Sequence, residues 1–321
     1  MSAKDTRVAW FGKHPAWRDY IPQFEEPAAA QPLRDWVKSG RDFLHKLAPA
    51  GDERGGCLYL LSLRADELTY CGVIGPSRDG GQPARRFPLT IYVPLARRRY
   101  RRAYALLPAY AVSAWEEMRV VQQKCLASDD GAVVRKFLDD VAPAIPAAGW
   151  GAWRRFRRDV SAVGSADFLA SLHPGGDGAA IDLIAWMAGA IAPFRDGRLG
   201  PPTLAFELPS SEGLKTAAYQ AAFWLNFCES SLGKVAGQPS LFLRPSPEGR
   251  RLILFLREPE ASDYATVLTG LGEEQKIHRF DAGGPAPVEA LRAAAGEAVS
   301  KAKNVSDLFS CRWDRLLRAV S

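Results

Sequence analysis

The residues of this chain best suited to chemistry are cationic. Arg78, Arg85 and Arg86 share one short polar stretch with Ser77 and a single acid, Asp79. Two runs of β-favouring residues, Tyr70–Ile74 and Leu89–Val93, bound the stretch, and its Gly, Pro and Ser content forces a turn between them. A cationic loop held between two core strands is a candidate site, because binding residues sit on loops that a rigid scaffold positions. Asp79 can accept hydrogen bonds from loop amides or pair with Arg85 or Arg86, closing the loop and leaving one arginine for a partner. Upstream, Lys13, Arg18 and Asp19 belong to a loop whose Trp17, Tyr20 and Ile21 are too apolar to face water. These charges either decorate a pinned loop or line the same site as the arginines.

A second cationic cluster, Arg97, Arg98, Arg99, Arg101 and Arg102, is the densest charge in the chain. It is either the solvated start of a helix or a patch for an acidic surface. Trp153–Arg158 adds further arginines interleaved with aromatics, a composition that could suit nucleic acid. No recognised nucleic-acid module surrounds either cluster, so nucleic acid is not an expected partner.

Catalytic signatures are missing. Gly233–Lys234 lacks the upstream glycine and the following hydroxyl of a phosphate-binding loop. There is no Gly-x-Ser-x-Gly elbow, no His-Glu-x-x-His and no kinase loop set. His14 could act as a base, yet the sequence places no nucleophile beside it. The five cysteines (Cys57, Cys71, Cys125, Cys228, Cys311) are scattered and the four histidines isolated, so neither a metal nor a cofactor is expected and buried free thiols are. Cys57 and Cys71 fall on adjacent expected strands but out of register. The chain is expected not to be an enzyme.

The elements that must position these residues are legible from periodicity. Arg7–Gly12 forms a strand; Pro32–Leu47 repeats apolar residues at helical spacing, with a proline suited to the first turn. Cys57–Leu63, Leu68–Ile74 and Leu89–Val93 make a meander of consecutive strands, hence antiparallel pairing. Tyr104–Ala127 is helical with a kink or boundary at Pro108, and Asp130–Val141 is a shorter helix. Helices over Ala166–Leu172 and Ile181–Ile191, a strand over Thr203–Leu208 and a helix over Gly213–Glu229 follow. Strands over Ser240–Leu243 and Arg251–Leu256 form a hairpin across Arg244–Gly249, and Asp263–Leu271, Pro287–Lys303 and Val305–Val320 close the chain as helices. The fold class is therefore α/β of the α+β type: a central, mainly antiparallel sheet flanked by helices, with a second mixed half. Ala142–Gly151 has linker composition, which divides the chain into 1–141, a Pro/Gly/Arg-rich linker at 142–160, and 161–321.

The charge balance follows the same division. Residues 1–160 carry 26 Lys and Arg against 18 Asp and Glu, whereas the remainder carries 16 against 18, within an overall formal charge of +6. The first half is the expected face for an acidic partner. No apolar signal region opens the sequence, and Ile181–Ala192 is short of the roughly twenty residues a membrane span needs, so a cytoplasmic protein is expected.

Three segments together resemble the TagF family of bacterial type VI secretion-associated proteins. Trp10-Phe-Gly-Lys-His-Pro-Ala-Trp-Arg-Asp-Tyr20 is similar to the family's aromatic-Gly-Lys-x-Pro element and the Gly-Asp-Phe that follows it. Trp36 and its helix form the second segment. The third is Gly75-Pro-Ser-Arg-Asp79 through Arg86-Phe-Pro-Leu89, similar to the family's Pro-Ser-x-Asp and Gly-Arg-x-Phe-Pro-Leu signature. The strong part covers about residues 7–130, and Phe223-Trp224 and Gln238-Pro-Ser-Leu-Phe242 resemble weaker features of longer members. The chain departs from the pattern at Arg18 (usually Gly), at Tyr20 (usually Phe) and in the longer Gly80-Gly-Gln-Pro-Ala-Arg-Arg stretch. The resemblance implies a non-catalytic post-translational repressor of type VI secretion that binds a secretion component such as a forkhead-associated (Fha) scaffold. On that basis Lys13, Arg18, Asp19, Ser77, Arg78, Asp79, Arg85 and Arg86 are candidate partner-binding residues. The alternative is a small-ligand or nucleotide-sensing module using the cationic loop of residues 75–89.

Overall fold

The computed structural model describes residues 8–21, 31–48, 56–63, 67–146, 151–195, 199, 202–233, 238–247, 249–270, 277–280 and 288–317. Its strands are β1 (Ala9–Phe11), β2 (Cys57–Ser62), β3 (Leu68–Gly75), β4 (Leu89–Ala96), β5 (Ala205–Ser210), β6 (Ser240–Ser246), β7 (Gly249–Phe255) and β8 (His278–Arg279). They form one sheet in the order β1-β4-β3-β2-β6-β7-β5-β8, antiparallel at every pairing except β5 with β8. The expected meander is present, and it continues into the second half: β2 pairs with β6 through Leu58↔Leu243, Tyr59↔Phe242 and Leu60↔Leu241. The two halves on either side of residues 142–160 thus contribute four strands each to a shared sheet.

Both faces of the sheet are covered, so its strands are apolar on both sides rather than alternating with polar residues. On one face Leu58, Leu60, Val73, Ile91, Val93, Leu241, Leu243, Leu252 and Leu254 meet a thick helical layer. On the other, Cys57, Tyr59, Leu61, Ile74, Tyr92, Phe242, Ile253 and Phe255 meet α1 (Gln31–Leu47) and, after β7, a short helix over Asp263–Thr269. The two strand thiols lie on opposite faces: Cys57 stands opposite Ile74 while Cys71 stands opposite Leu60.

The helical layer comprises α2 (Arg97–Tyr100), a 3-10 turn over Tyr104–Leu106, α3 (Leu107–Leu126), α4 (Gly131–Asp140), α5 (Ala152–Val160), α6 (Ser165–Leu172), α7 (Gly176–Ile191) and α8 (Leu214–Leu232), and the short helix over Asp263–Thr269 on the other face is α9. Three more helices, α10 (Glu289–Ser300), α11 (Val305–Ser310) and α12 (Trp313–Leu317), complete the layer. Pro108 sits in the first turn of α3, where its missing N–H costs nothing, so it marks a boundary and not a kink. Asp130 caps α4 by accepting hydrogen bonds from Ala132 N and Val133 N. Phe223, Trp224 and Phe227 of α8 are fully buried, so that aromatic stripe is core.

Several boundaries differ from expectation. Trp153–Arg158, assigned to the linker by composition, belongs to α5, which buries Ala152, Phe156 and Val160. Helix α7 starts at Gly176, and with the following 3-10 turn the segment Gly176–Phe194 is long and apolar enough, by composition, to cross a membrane. In the fold it is a core helix: Leu183, Ile184, Met187 and Ala188 are buried, and its Asp182 accepts a hydrogen bond from Arg292 Nε of α10 at 2.5 Å. The expected closing helix from Val305 is broken at Cys311, whose backbone is extended.

The α1–α9 contact depends on one glycine. A Cβ at Gly40 would fall 2.5 Å from Tyr264 Cγ, so the missing side chain lets α9 approach the α1 backbone. Trp36 reinforces the contact, packing edge to face on Tyr264 at 5.5 Å and donating from Nε1 to the Glu260 carbonyl at 3.1 Å, and it also stacks on Phe242 of β6 at 5.7 Å.

Candidate functional site: a loop closed around Asp79

The site is built at one end of the sheet, where β1 leaves β4 and β3 runs into the cationic loop. Gly12 follows β1 with φ +138°, and a Cβ there would meet the Pro88 carbonyl and come within 2.8 Å of Leu89 Cα. Glycine therefore lets the outgoing chain lie against the start of β4. Residues 12–21 then close on themselves: Ile21 N donates to the Gly12 carbonyl at 3.0 Å, Lys13 and Tyr20 form an isolated bridge, and Trp17 N donates to the His14 carbonyl at 3.0 Å.

His14 is fully buried and ties this loop to α3. Its Nε2–H donates to the Cys125 carbonyl at 2.7 Å, and Nδ1 accepts from Ala16 N at 3.1 Å. That pair of bonds defines the neutral Nε2–H tautomer, and burial lowers its pKa. Both ring nitrogens are occupied, so His14 is a structural tie.

The arms of the cationic loop extend the β3–β4 ladder. Phe87 N donates to the Ser77 carbonyl at 3.0 Å, Asp79 N to the Arg85 carbonyl at 3.1 Å, and Arg78 bridges Arg86. Two bonds dock this ribbon on residues 12–21: Ser77 Oγ donates to the Lys13 carbonyl at 2.6 Å, and Gly80 N to the Trp17 carbonyl at 2.7 Å.

Asp79 lies at the centre with a side chain 0% exposed. Its Oδ2 accepts from Lys13 Nζ at 2.9 Å and Arg85 Nε at 2.8 Å; its Oδ1 accepts from Arg85 N at 2.8 Å and Gly81 N at 3.2 Å. The Lys13 ammonium, then the Arg85 and Gly81 donors, hold its carboxyl far below the usual carboxylate range. Arg85 extends the network outward, donating from Nη2 to the Arg18 carbonyl at 2.8 Å and to Asp19 Oδ1 at 3.3 Å. Beneath it Tyr20 and Phe87 pack edge to face at 5.2 Å, Lys13 Nζ sits 5.2 Å from the Tyr20 ring centroid, and Arg34 of α1 lies over Phe11 and Tyr20.

The candidate residues thus divide. Lys13, Ser77, Asp79 and Arg85 hold the loop together; Asp19 is an exposed outer partner, and Arg18 enters the network through its carbonyl. Arg78 and Arg86, opposite each other in the ribbon and exposed, line a separate cleft of about 440 Å³ with Pro15, Pro76, Ser77, Leu126 and Asp129. The pocket anticipated between Lys13, Arg78, Arg85 and Arg86 is therefore split: Lys13 and Arg85 are engaged by Asp79, and the other two arginines face the cleft.

The second cluster also divides. Arg97 ties the β2–β3 connection, donating from Nη2 to the Leu63 carbonyl at 2.5 Å and from Nε to the Leu68 carbonyl at 3.0 Å. Arg98 and Arg101 are exposed and line a larger cleft, about 890 Å³, with Glu67, Tyr104, Leu225, Glu229 and Pro239. Arg99 is partly exposed and Arg102 exposed. The aromatics near Arg154–Arg158 are turned inward: Phe156 is buried against Phe309 at 4.9 Å, and Trp153 Nε1 donates to the Arg102 carbonyl at 3.2 Å. They offer no stacking platform for bases.

Two charged clusters in the second half escaped the sequence reading. Arg257 and Asp263 form a two-pronged, largely buried pair at 2.6 and 2.8 Å. Glu207 of β5 accepts from both Arg244 and Arg279 at 2.9 Å. The sequence signal for the latter is strand parity once the β5–β7 and β6–β7 registers are known; composition puts Arg244 in the hairpin turn, whereas β6 extends to Ser246.

Among the described residues no group of three or more His, Cys, Asp or Glu could hold a metal ion. No family model matches the chain, and no curated protein does. Among solved structures, the chain is similar to the crystal structure of PA0076 from Pseudomonas aeruginosa PAO1, determined at 2.05 Å, with 14% identity and a TM-score of 0.45 over 87% of this chain and 100% of that one.

Proposed function

We propose that this protein is a non-catalytic, TagF-like accessory protein of a bacterial type VI secretion system, working in the cytoplasm as a post-translational repressor. It acts by binding a component of the apparatus, such as an Fha-type scaffold. The observation that supports this reading is the division of labour in the signature loop. The motif residues Lys13, Ser77 and Asp79 are consumed in holding a rigid ribbon, and the ribbon presents Arg78 and Arg86 above an open cleft. An ordered loop with exposed guanidiniums suits protein recognition, because its residues lose little freedom on binding and Arg pairs with carboxylates in a fixed geometry. The small-ligand alternative for this loop is less well served, since Lys13 and Arg85 already hold Asp79. Affinity capture of the tagged full chain from its native cell tests the proposal: recovery of secretion-apparatus subunits supports it, and their absence from the captured proteins counts against it.

A further inference from the structure

The cleft beside the cationic ribbon is walled by segments that are tied to one another. Ser77 Oγ fastens the ribbon to the Lys13 carbonyl, and His14 Nε2–H fastens the same loop to the Cys125 carbonyl, next to Leu126 at the end of α3. Beyond α3, Asp130 caps α4, and Gly131 backs onto Trp17, where a Cβ would come within 3.1 Å of the ring. Asp129 is thereby held between two fixed helices. Leu126, which is 42% exposed, joins Pro15 and Pro76 as an apolar wall, while Arg78 and Asp129 bring opposite charges to the same space. Among the described residues, neither Arg78 nor Asp129 makes an ion pair or a side-chain hydrogen bond, although both line one cleft. Both are exposed, so water solvates them. Anything that covers the cleft removes that water, and each charge then needs a counter-charge or a hydrogen-bond partner.

We propose, resting on the reading of this face as a protein-binding surface, that the cleft takes a segment of the partner in which an Asp or Glu, an apolar residue and a Lys or Arg stand close together. The carboxylate meets Arg78, the apolar side chain meets Leu126 and the two prolines, and the cation meets Asp129. A small molecule is poorly served here. Pockets for such ligands enclose most of the ligand surface, whereas Arg78, Arg86, Leu126 and Asp129 are all exposed. A protein segment brings its own cover, and tied walls lose little freedom when it docks. One charge of each sign beside an apolar contact discriminates chiefly by rejecting wrong partners. An all-acidic segment sets a carboxylate against Asp129, and an all-basic one sets a cation against Arg78.

The test is selection of random short peptides displayed on phage against the full chain, followed by fluorescence polarisation of the selected peptides. The unaltered protein should enrich peptides that carry an acid, an apolar residue and a base. Asp129→Lys should enrich peptides with acids alone around the apolar residue, and Arg78→Glu peptides with bases alone. Asp129→Asn, which serves if α4 does not tolerate lysine beside its cap, should bind the wild-type peptides about fivefold more weakly, the scale of one exposed ion pair. No enrichment, peptides lacking either charge, or one preference shared by all variants would overturn the proposal. So would self-association, followed by sedimentation, that Arg78→Glu and Asp129→Lys both abolish, since the cleft would then belong to a second copy of the chain. Affinity capture separates this proposal from the broader reading. Apparatus subunits recovered equally by wild type and Asp129→Lys overturn the charge assignment and leave the reading of the protein intact. Peptide enrichment of the expected kind without any apparatus subunit in the capture does the reverse.

Discussion

Replacing Lys13 by Met separates the two cations that share one oxygen of Asp79. By distance they are equivalent, Lys13 Nζ at 2.9 Å and Arg85 Nε at 2.8 Å. By environment they are not: the Lys13 side chain is 6% exposed and that of Arg85 57%. Breaking a buried ion pair costs about 3–5 kcal/mol when the remaining charge is left without compensation. Here Asp79 keeps Arg85 Nε and two backbone N–H donors, so the loss reduces to one buried charge-assisted hydrogen bond, about 2 kcal/mol. Met preserves the stem volume against Tyr20. Arg85→Met removes a solvent-screened pair worth at most about 1 kcal/mol. Urea unfolding of wild type and both variants at pH 7 reads the difference. The acid dependence adds a second signature. Because the folded pKa of Asp79 is depressed, the stability it confers is complete above the unfolded value of about 3.9 and is lost as pH falls toward the folded value. Lys13→Met should therefore flatten the acid-side decline. A Lys13→Met variant as stable as wild type, or an Arg85→Met variant that loses more than Lys13→Met, would refute the ranking by burial.

Three other expectations follow from the geometry. Gly40→Ala gains about 1 kcal/mol of helix propensity but drives a Cβ into Tyr264, an overpacking cost of about 1–3 kcal/mol, so urea unfolding should show net destabilisation; a stabilised variant would contradict the α1–α9 contact. His14 should be a neutral Nε2–H imidazole at pH 7 by nitrogen NMR, and since its folded pKa is lowered, its contribution to stability is complete above about 6.5 and declines as pH falls toward the folded value; an imidazolium at neutral pH would contradict the two-bond tie. Arg97→Ala, which frees two strand-end carbonyls, should cost about 1–2 kcal/mol while Arg98→Ala stays within about 0.5 kcal/mol of wild type, and equal effects in unfolding experiments would show the cluster to be uniform.

Much of the architecture was legible because both faces of the sheet are buried. Runs such as Cys57–Ser62 and Leu89–Ala96 are apolar but for Ser62 and Thr90, and Gly or Pro precedes each of them. β8 was not legible, since two residues pairing parallel to β5 leave no periodic trace. The break at Cys311 is equally silent: Phe309, Trp313 and Leu316 keep helical spacing across it. In the site, the centrality of Asp79 could be read from its place among arginines, but the arginine that holds it could not. Arg85 and Arg86 are adjacent, so in a ribbon they point to opposite faces, and the register Arg78↔Arg86 decides which one turns inward. That register depends on the conformation of residues 80–84, which side-chain pattern does not encode. Lys13 could not be assigned to Asp79 either, because the contact joins residues brought together by β1–β4 pairing.

The central claim is that the loop closed by Asp79 presents Arg78 and Arg86 to a protein partner, and quantitative affinity capture of wild type, Arg78→Ala and Asp79→Ala from the native cell tests it most directly. The account predicts that Arg78→Ala, with a wild-type unfolding midpoint, recovers the secretion-apparatus partner roughly tenfold less efficiently, a loss of about 1.4 kcal/mol, whereas Asp79→Ala loses both the ordered loop and the partner. Equal recovery by all three proteins would contradict it and leave the loop as scaffold alone.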